Sequence, residues 1–334
     1  MLSYNRTKST KWNEIMLTMK MKKFLICLVG GICLAGGIMM LSNSTTKKLS
    51  NNYSHDITAS LEKLEQEARE RIEDYKGTEF SKKEMHLMLD QLLAHPVGKA
   101  VFISKGLNGE NIQYFIGGAP TETNPMIRWF CDRSPVVLAT RERFGIFQKE
   151  LQKRLKDNAH FASIPCGIMN DLLKLDITGK QNIHFTGIDL DPESLMLATK
   201  NANERGYKDI CSFKEADAWK LSAFTNMFDL VTSNGLNIYV KEDAKVTELY
   251  KELFKILKPG GTLITSFLVP PALVSQDATK QRIILGTIIG IGWQNFRTEE
   301  LTRKQLAEAG FVDVEIIYDS QRMFPTVIAK KPAT

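Results

Sequence analysis

The chain has 334 residues, 43% of them hydrophobic, which is ordinary for a globular protein and enough for one large α/β domain with a smaller appendage. The net charge of +6 resides in residues 1–50, where eight basic side chains face only Glu14; the remainder sums to −1, which argues against a nucleic-acid partner. Five scattered cysteines without a Cys-x-x-Cys pair, and five scattered histidines, speak against a disulfide framework and a clustered metal site.

The first element in the chain is an unbroken apolar and glycine run, Phe24 to Leu41, preceded by Lys20, Lys22 and Lys23. Eighteen residues in a helix span roughly 27 Å, close to a hydrocarbon core of about 30 Å. Residues 1–50 therefore form a basic terminus with a hydrophobic segment at 24–41, read as a single membrane anchor. A cleaved signal peptide starting at Met21 is the alternative. Charge bias would send the following domain outward, but a cofactor made in the cytoplasm favours a cytoplasmic domain, which is the placement expected here.

Residues 51–155 read as a mainly helical cap region. Leu61, Leu64, Ala68 and Ile72 recur at helical spacing between Ile57 and Tyr75, and Ser81-x-x-Glu84 is a capping-box pattern that opens a helix reaching Leu93. Gly, Pro and Asn interrupt short apolar runs over 96–138, which suggests irregular, partly stranded chain. Helical periodicity returns over Arg141 to Leu155.

An α/β array is expected over 156–334. Four strand-like segments, 161–167, 183–191, 212–219 and 228–235, succeed one another at a spacing that βαβ units with ligand at their carboxyl edge require. Helices are expected at 168–176, 192–205 and 242–257, with Pro259-Gly260-Gly261 ending the last before a strand over Thr262 to Leu268. A helix over Arg303 to Ala309 and strands over Val312 to Tyr318 and Thr326 to Ala329 close the chain as an antiparallel hairpin.

Each strand end offers a group for a nucleoside. Gly167 is the only glycine of the first loop, where a dinucleotide fingerprint has three, so a cofactor without a pyrophosphate fits better. Asp189 follows 22 residues later, ahead of Leu190, at the position from which a carboxylate accepts both ribose hydroxyls. Asp191, before Pro192, reads instead as a helix N-cap. Asp217 can accept an adenine amino hydrogen bond beside the Ala218 amide, or be a turn aspartate. Asp229 opens its strand and reads as structural, whereas Ser233 and Asn234 end that strand and face the ligand.

Together these residues resemble the class I S-adenosylmethionine-dependent methyltransferases over about 170 residues, from roughly Phe161 to Lys330, including the Leu257-Lys258-Pro259-Gly260-Gly261 turn. The resemblance implies a Rossmann-like α/β fold, a seven-stranded mostly parallel sheet with a C-terminal antiparallel hairpin, and S-adenosyl-L-methionine as cofactor. It implies methionine binding at the Gly167 loop, ribose binding by Asp189 and adenine binding by Asp217. The cofactor set expected is Ser163, Pro165, Gly167, Asp189, Leu190, Asp217, Ala218, Ser233 and Asn234. Ser163 stands where the family usually has an acid, and Pro165 where it has a glycine.

The acceptor expected is a small molecule, hydrophobic or carboxylate-bearing. Ser233-Asn234-Gly235-Leu236 lacks the Asn-Pro-Pro-Tyr of amino-group methyltransferases acting on nucleic acids or glutamine. The apolar stretch Ile283 to Trp293 reads either as a lid over a hydrophobic acceptor or as a packing helix. Arg128, Trp129, Arg141, Arg143 and Tyr114 are candidates to meet a carboxylate. No general base is assigned. A nicotinamide-dependent oxidoreductase and a catalytically silent binding domain remain alternatives.

Overall fold

The computed structural model describes residues 60–106, 114–117, 121–270, 275–292 and 295–334. The segment 24–41 lies outside them. Residues 52–334 form one compact unit.

The N-terminal helices include α1 (Leu61–Glu73), α2 (Lys82–Leu93), α3 (Pro96–Ser104) and α4 (Pro125–Asp132). The Ser81–Glu84 capping box forms as expected, with reciprocal hydrogen bonds. The irregular, partly stranded chain expected over 96–138 is not found in its described residues. Pro96 and Pro125 sit in the first turns of α3 and α4, and Pro135 in that of α5 (Pro135–Arg154). At that position the missing N–H costs nothing and the fixed φ favours helix. His95 and Asn124 cap α3 and α4 through side-chain acceptors, so prolines that read as breakers are starters.

The sheet then runs β1 (His160–Ser163), β2 (His184–Asp189), β3 (Cys211–Glu215), β4 (Phe228–Ser233), β5 (Leu257–Ser266), β6 (Val312–Ile317) and β7 (Thr326–Lys330). Its order is β3-β2-β1-β4-β5-β7-β6, parallel except at β7, which pairs antiparallel with β5 and β6. The expected seven-stranded sheet with its antiparallel hairpin is therefore present. Connecting helices are α6 (Asn170–Leu173), α7 (Pro192–Glu204), α8 (Asp243–Ile256), α9 (Gln276–Ile283) and α10 (Glu299–Glu308). Strand alternation divides the core. Phe161, Phe185 and Leu230 pack with Phe147 and Leu151 of α5 and Ala198 and Ala202 of α7, whereas Ala162, Val231 and Leu263 pack with Leu249 and Leu253 of α8 and Leu306 of α10.

The apolar stretch after β5 has a definite place. Ile283, Ile284, Ile288 and Ile289, in α9 and the π-helical turn Ile284–Ile289, join Leu64, Ile72, Leu89 and Phe130 of the N-terminal helices in one buried cluster. Arg71 of α1 donates to the Thr287 and Ile288 carbonyls at 2.9 and 3.0 Å, closing the end of that turn. Of the two readings of this stretch, packing helix and lid over an apolar acceptor, its described residues adopt the first. Trp293 lies outside the described residues.

Candidate active site

The chain crosses from one side of the sheet to the other between β1 and β4, and the switch in strand order there opens a crevice at the carboxyl edge. The ends of β3, β2, β1 and β4 are consecutive along that edge, which gathers all the predicted cofactor residues.

The loop after β1 is held on both sides. Ile164 N–H donates to the Thr232 carbonyl of β4 and Cys166 N–H to the Ile188 carbonyl of β2, each at 2.9 Å. Gly167 adopts φ +49°, and a Cβ there would meet no atom within 4 Å, so the backbone faces open space. Beneath the loop, Gly187 of β2 is in close quarters: a Cβ would lie 2.9 Å from Phe213, 3.0 Å from Cys166 Sγ and 3.1 Å from Met169 Sδ. Only glycine lets the loop lie so low on β2.

Asp189 joins this loop to β2. Its Oδ2 accepts from Gly167 N–H at 2.9 Å and its Oδ1 from Asp191 N–H at 3.1 Å. The residue is 9% exposed, and burial raises its carboxyl above the ordinary range despite those amides. Each oxygen keeps acceptor capacity for one more donor. Leu190, next in the chain, is exposed at 55%. Asp191 caps α7 through Glu193 and Ser194 N–H, as expected.

Ser163 is buried at the end of β1. Its hydroxyl donates to Asp171 Oδ2 at 2.8 Å, and Thr232 of β4 donates to the same oxygen. Asp171 is buried in α6 and its carboxyl is raised by that burial. This acid, missed in the sequence, ties the end of β1 to β4 eight residues downstream of the position where the family pattern puts one. An acid in the first turn of the helix after the loop was its only signal. Pro165 follows Ile164 through a cis peptide bond within the same loop.

At the β3 end, Asp217 accepts from Trp219 N–H at 3.0 Å and lies 3.7 Å from Lys220, so it does make the turn contact weighed against adenine binding. Among the described residues the Ala218 amide has no acceptor. At the β4 end Ser233 is buried and its carbonyl accepts from Thr265, while Asn234 Oδ1 is buried without a partner. Asp229, at the opposite end, accepts from His160 N–H and Lys258, which is structural as expected. A carboxylate with spare lone pairs, an unpaired amide N–H, an unpaired amide oxygen and an unobstructed glycine turn suit the diol, base and amino-acid moieties of S-adenosylmethionine.

The five candidates for a carboxylate separate. Trp129 Nε1 donates to Asp277, Tyr114 to Glu122, Arg141 to the Phe115 and Cys131 carbonyls, and Arg128 pairs with Asp132 on the surface. Arg143 alone lies at the sheet edge, beside Ser266 at the end of β5.

A family model described as a methyltransferase domain matches residues 150–310. The chain is 32% identical to erythromycin 3''-O-methyltransferase of Saccharopolyspora erythraea over 40% of its own length and 44% of that protein. It is 24% identical to a sterol 24-C-methyltransferase of Aspergillus fumigatus over 43% of its length and 37% of that protein. It thus spans less than half the length of these curated relatives. A solved structure described as a possible exported protein from Bordetella parapertussis superposes with a TM-score of 0.77 at 39% identity, covering 81% of this chain and 95% of that one.

One expectation is corrected here. Among the described residues no helix is long and apolar enough to cross a membrane, and the 39%-identical protein is described as a possible exported protein, so the anchored, cytoplasmic placement is withdrawn. Fold, strand-end chemistry and these similarities agree otherwise: residues 150–310 are a methyltransferase domain of the class I S-adenosylmethionine-dependent kind.

Proposed function

We propose that the protein transfers a methyl group from S-adenosylmethionine to a small-molecule acceptor, with the cofactor along the β3-β2-β1-β4 edge. When bound, the cofactor supplies an electrophilic methyl on a sulfonium, so the protein's work is alignment and exclusion of water. Asp189 accepts the ribose hydroxyls, Asp217 and the Ala218 amide receive the adenine, the Gly167 turn takes the methionine backbone, and Asn234 Oδ1 accepts from its amino group. Leu190, exposed beside Asp189, covers the nucleoside. Ser163 and Pro165 contribute by shaping the loop, Ser163 through Asp171, and Ser233 by holding the β4 end.

The observation that carries this reading is the Gly167–Asp189 hydrogen bond, which makes the loop and the ribose-binding carboxylate one unit. Of the two acceptor classes the sequence suggests, the hydrophobic one loses its main support now that Ile283 to Ile289 pack into the cap core. Titration calorimetry of the full chain with S-adenosylmethionine, S-adenosylhomocysteine and NAD tests the reading. Binding of both sulfur nucleosides without NAD is expected, and binding of NAD alone would make the protein an oxidoreductase instead.

A further inference from the structure

Arg143 is 6% exposed, in the middle of α5, yet among the described residues no carboxylate forms an ion pair with it. One guanidinium nitrogen donates to Ser266 Oγ at 3.3 Å, Cζ lies 4.5 Å from the Phe324 ring centroid, and Nε is buried without an acceptor. The groups whose fields it feels are Tyr239 and Asp319, and Asp319 has its carboxylate taken by the Met323 and Phe324 amides. Burial alone pushes the guanidinium down to about 10, still charged at neutral pH.

The other buried arginine, Arg297, shows what this fold does with a structural guanidinium. It is 3% exposed, pairs with Asp243 at 3.0 Å and donates to the Asn237 and Val240 carbonyls. A buried charge left uncompensated is among the costliest arrangements in a protein, and such sites persist where function needs them. Arg143 lies beside the end of β5 and Phe324, just ahead of β7, on the far side of β1 from Asp189 and Asp217. Asn237, which donates to the Ser266 carbonyl from the turn after β4, has its own Oδ1 buried and unpartnered among the described residues, so this part of the edge is polar and incompletely satisfied.

We propose that Arg143 is the anion-binding residue of the acceptor subsite, taking a carboxylate or phosphate of the methyl acceptor in a forked hydrogen bond that Nε and a terminal nitrogen supply together. This rests on the methyltransferase reading above, and makes the acceptor an anionic small molecule. The planar fork matches the two oxygens of either group, which an ammonium would not. Ser266 and the Phe324 ring hold the guanidinium plane, while Asp319, closed off by its amides, leaves the positive charge for the ligand.

The test uses the full chain with inorganic phosphate and acetate as probes, and chloride at matched ionic strength as control. Phosphate or acetate is expected to raise the wild-type melting temperature beyond chloride, the larger rise naming the group. Arg143→Met is expected to lose that rise and to bind S-adenosylhomocysteine as the wild type does; Arg143→Lys, which keeps the charge without the fork, should retain only part of it. Three results would overturn the proposal: no anion-specific rise in the wild type, a full rise in Arg143→Met, or weakened S-adenosylhomocysteine binding in that variant, which would give the guanidinium to the cofactor. The wild-type titration and Arg143→Lys decide the matter even if Arg143→Met fails to fold. Failure of the wild type to bind S-adenosylhomocysteine at all would instead remove the methyltransferase reading itself.

Discussion

On the β1–β2 side of the carboxyl edge the polar side chains hold one another: Asp189 takes the Gly167 and Asp191 amides, and Asp171 takes the Ser163 and Thr232 hydroxyls. On the β4–β5 side they do not, and among the described residues Arg143 Nε and Asn237 Oδ1 are buried and unpartnered. A side that is already cross-linked is set for one ligand with little rearrangement. A side with open donors and acceptors keeps its hydrogen-bonding capacity for a molecule yet to arrive, at a cost in stability. The first suits a cofactor common to many enzymes, the second an acceptor particular to this one.

Substitutions should therefore act with opposite signs on the two sides. The largest effect is expected for Asp171→Ala, which strands two buried hydroxyls and loosens the loop after β1; thermal or urea unfolding should show a loss on the order of 3 kcal/mol. Asp171→Asn, which keeps the shape and an acceptor, should recover much of it. Arg143→Met should instead stabilise the unliganded protein, by about 1–2 kcal/mol, because it removes a buried unpaired charge. A stability loss there would show that Arg143 is a structural group like Arg297. Asp217→Ala should be milder, weakening S-adenosylhomocysteine binding by about 1 kcal/mol, roughly fivefold, since one hydrogen bond to a partly exposed carboxylate is lost. If it changes stability and leaves binding intact, Asp217 is a turn residue only.

The smallest effect concerns the opposite edge of the sheet and serves as a control. His160 packs edge-on against His184 and Phe228, and burial, with the His184 and Lys258 charges, pushes it down to about 4. Between that value and the ordinary histidine value of about 6.5 the unfolded chain binds the extra proton. Stability from this group is thus complete above the ordinary value and lost as pH falls towards the lower one. Burial raises Asp171 and Asp189 and so gives the reverse sign, stability lost as pH rises out of the carboxylate range. The His160 contribution is therefore read as the difference between wild type and His160→Phe in unfolding experiments across this pH range, while cofactor affinity stays the same in both.

Much of the fold was legible because strands and turns leave local signals. The βαβ spacing, the Asp191-Pro192 helix start and the Ser81–Glu84 capping box all formed as the sequence suggested. What misled was proline: at 96, 125 and 135 it opens helices, with side-chain caps from His95 and Asn124 ahead of the first two. Within the proposed site, Gly167 and Asp189 were candidates from position alone, and the hydrogen bond between them was not visible in the sequence. Asp171 was not, because its role requires Ser163 and Thr232 to converge from two strands. Gly187 was not, because its need for a missing Cβ is set by Cys166 and Met169 lying on it from the loop. Arg143 stood among five alike candidates until the partners of the other four were known.

The central claim is that the Asp189 carboxylate, fixed by the Gly167 loop, holds the cofactor's ribose. Titration calorimetry of S-adenosylhomocysteine against wild type, Asp189→Ala and Asp189→Asn tests it most directly. The account predicts a loss of about 100-fold in affinity for Asp189→Ala, since hydrogen bonds to a charged acceptor disappear together, with Asp189→Asn intermediate. In the wild type, affinity should fall on acidification at a pH above the ordinary carboxylate range, because burial raises this group. Wild-type affinity in a folded Asp189→Ala protein would contradict the account.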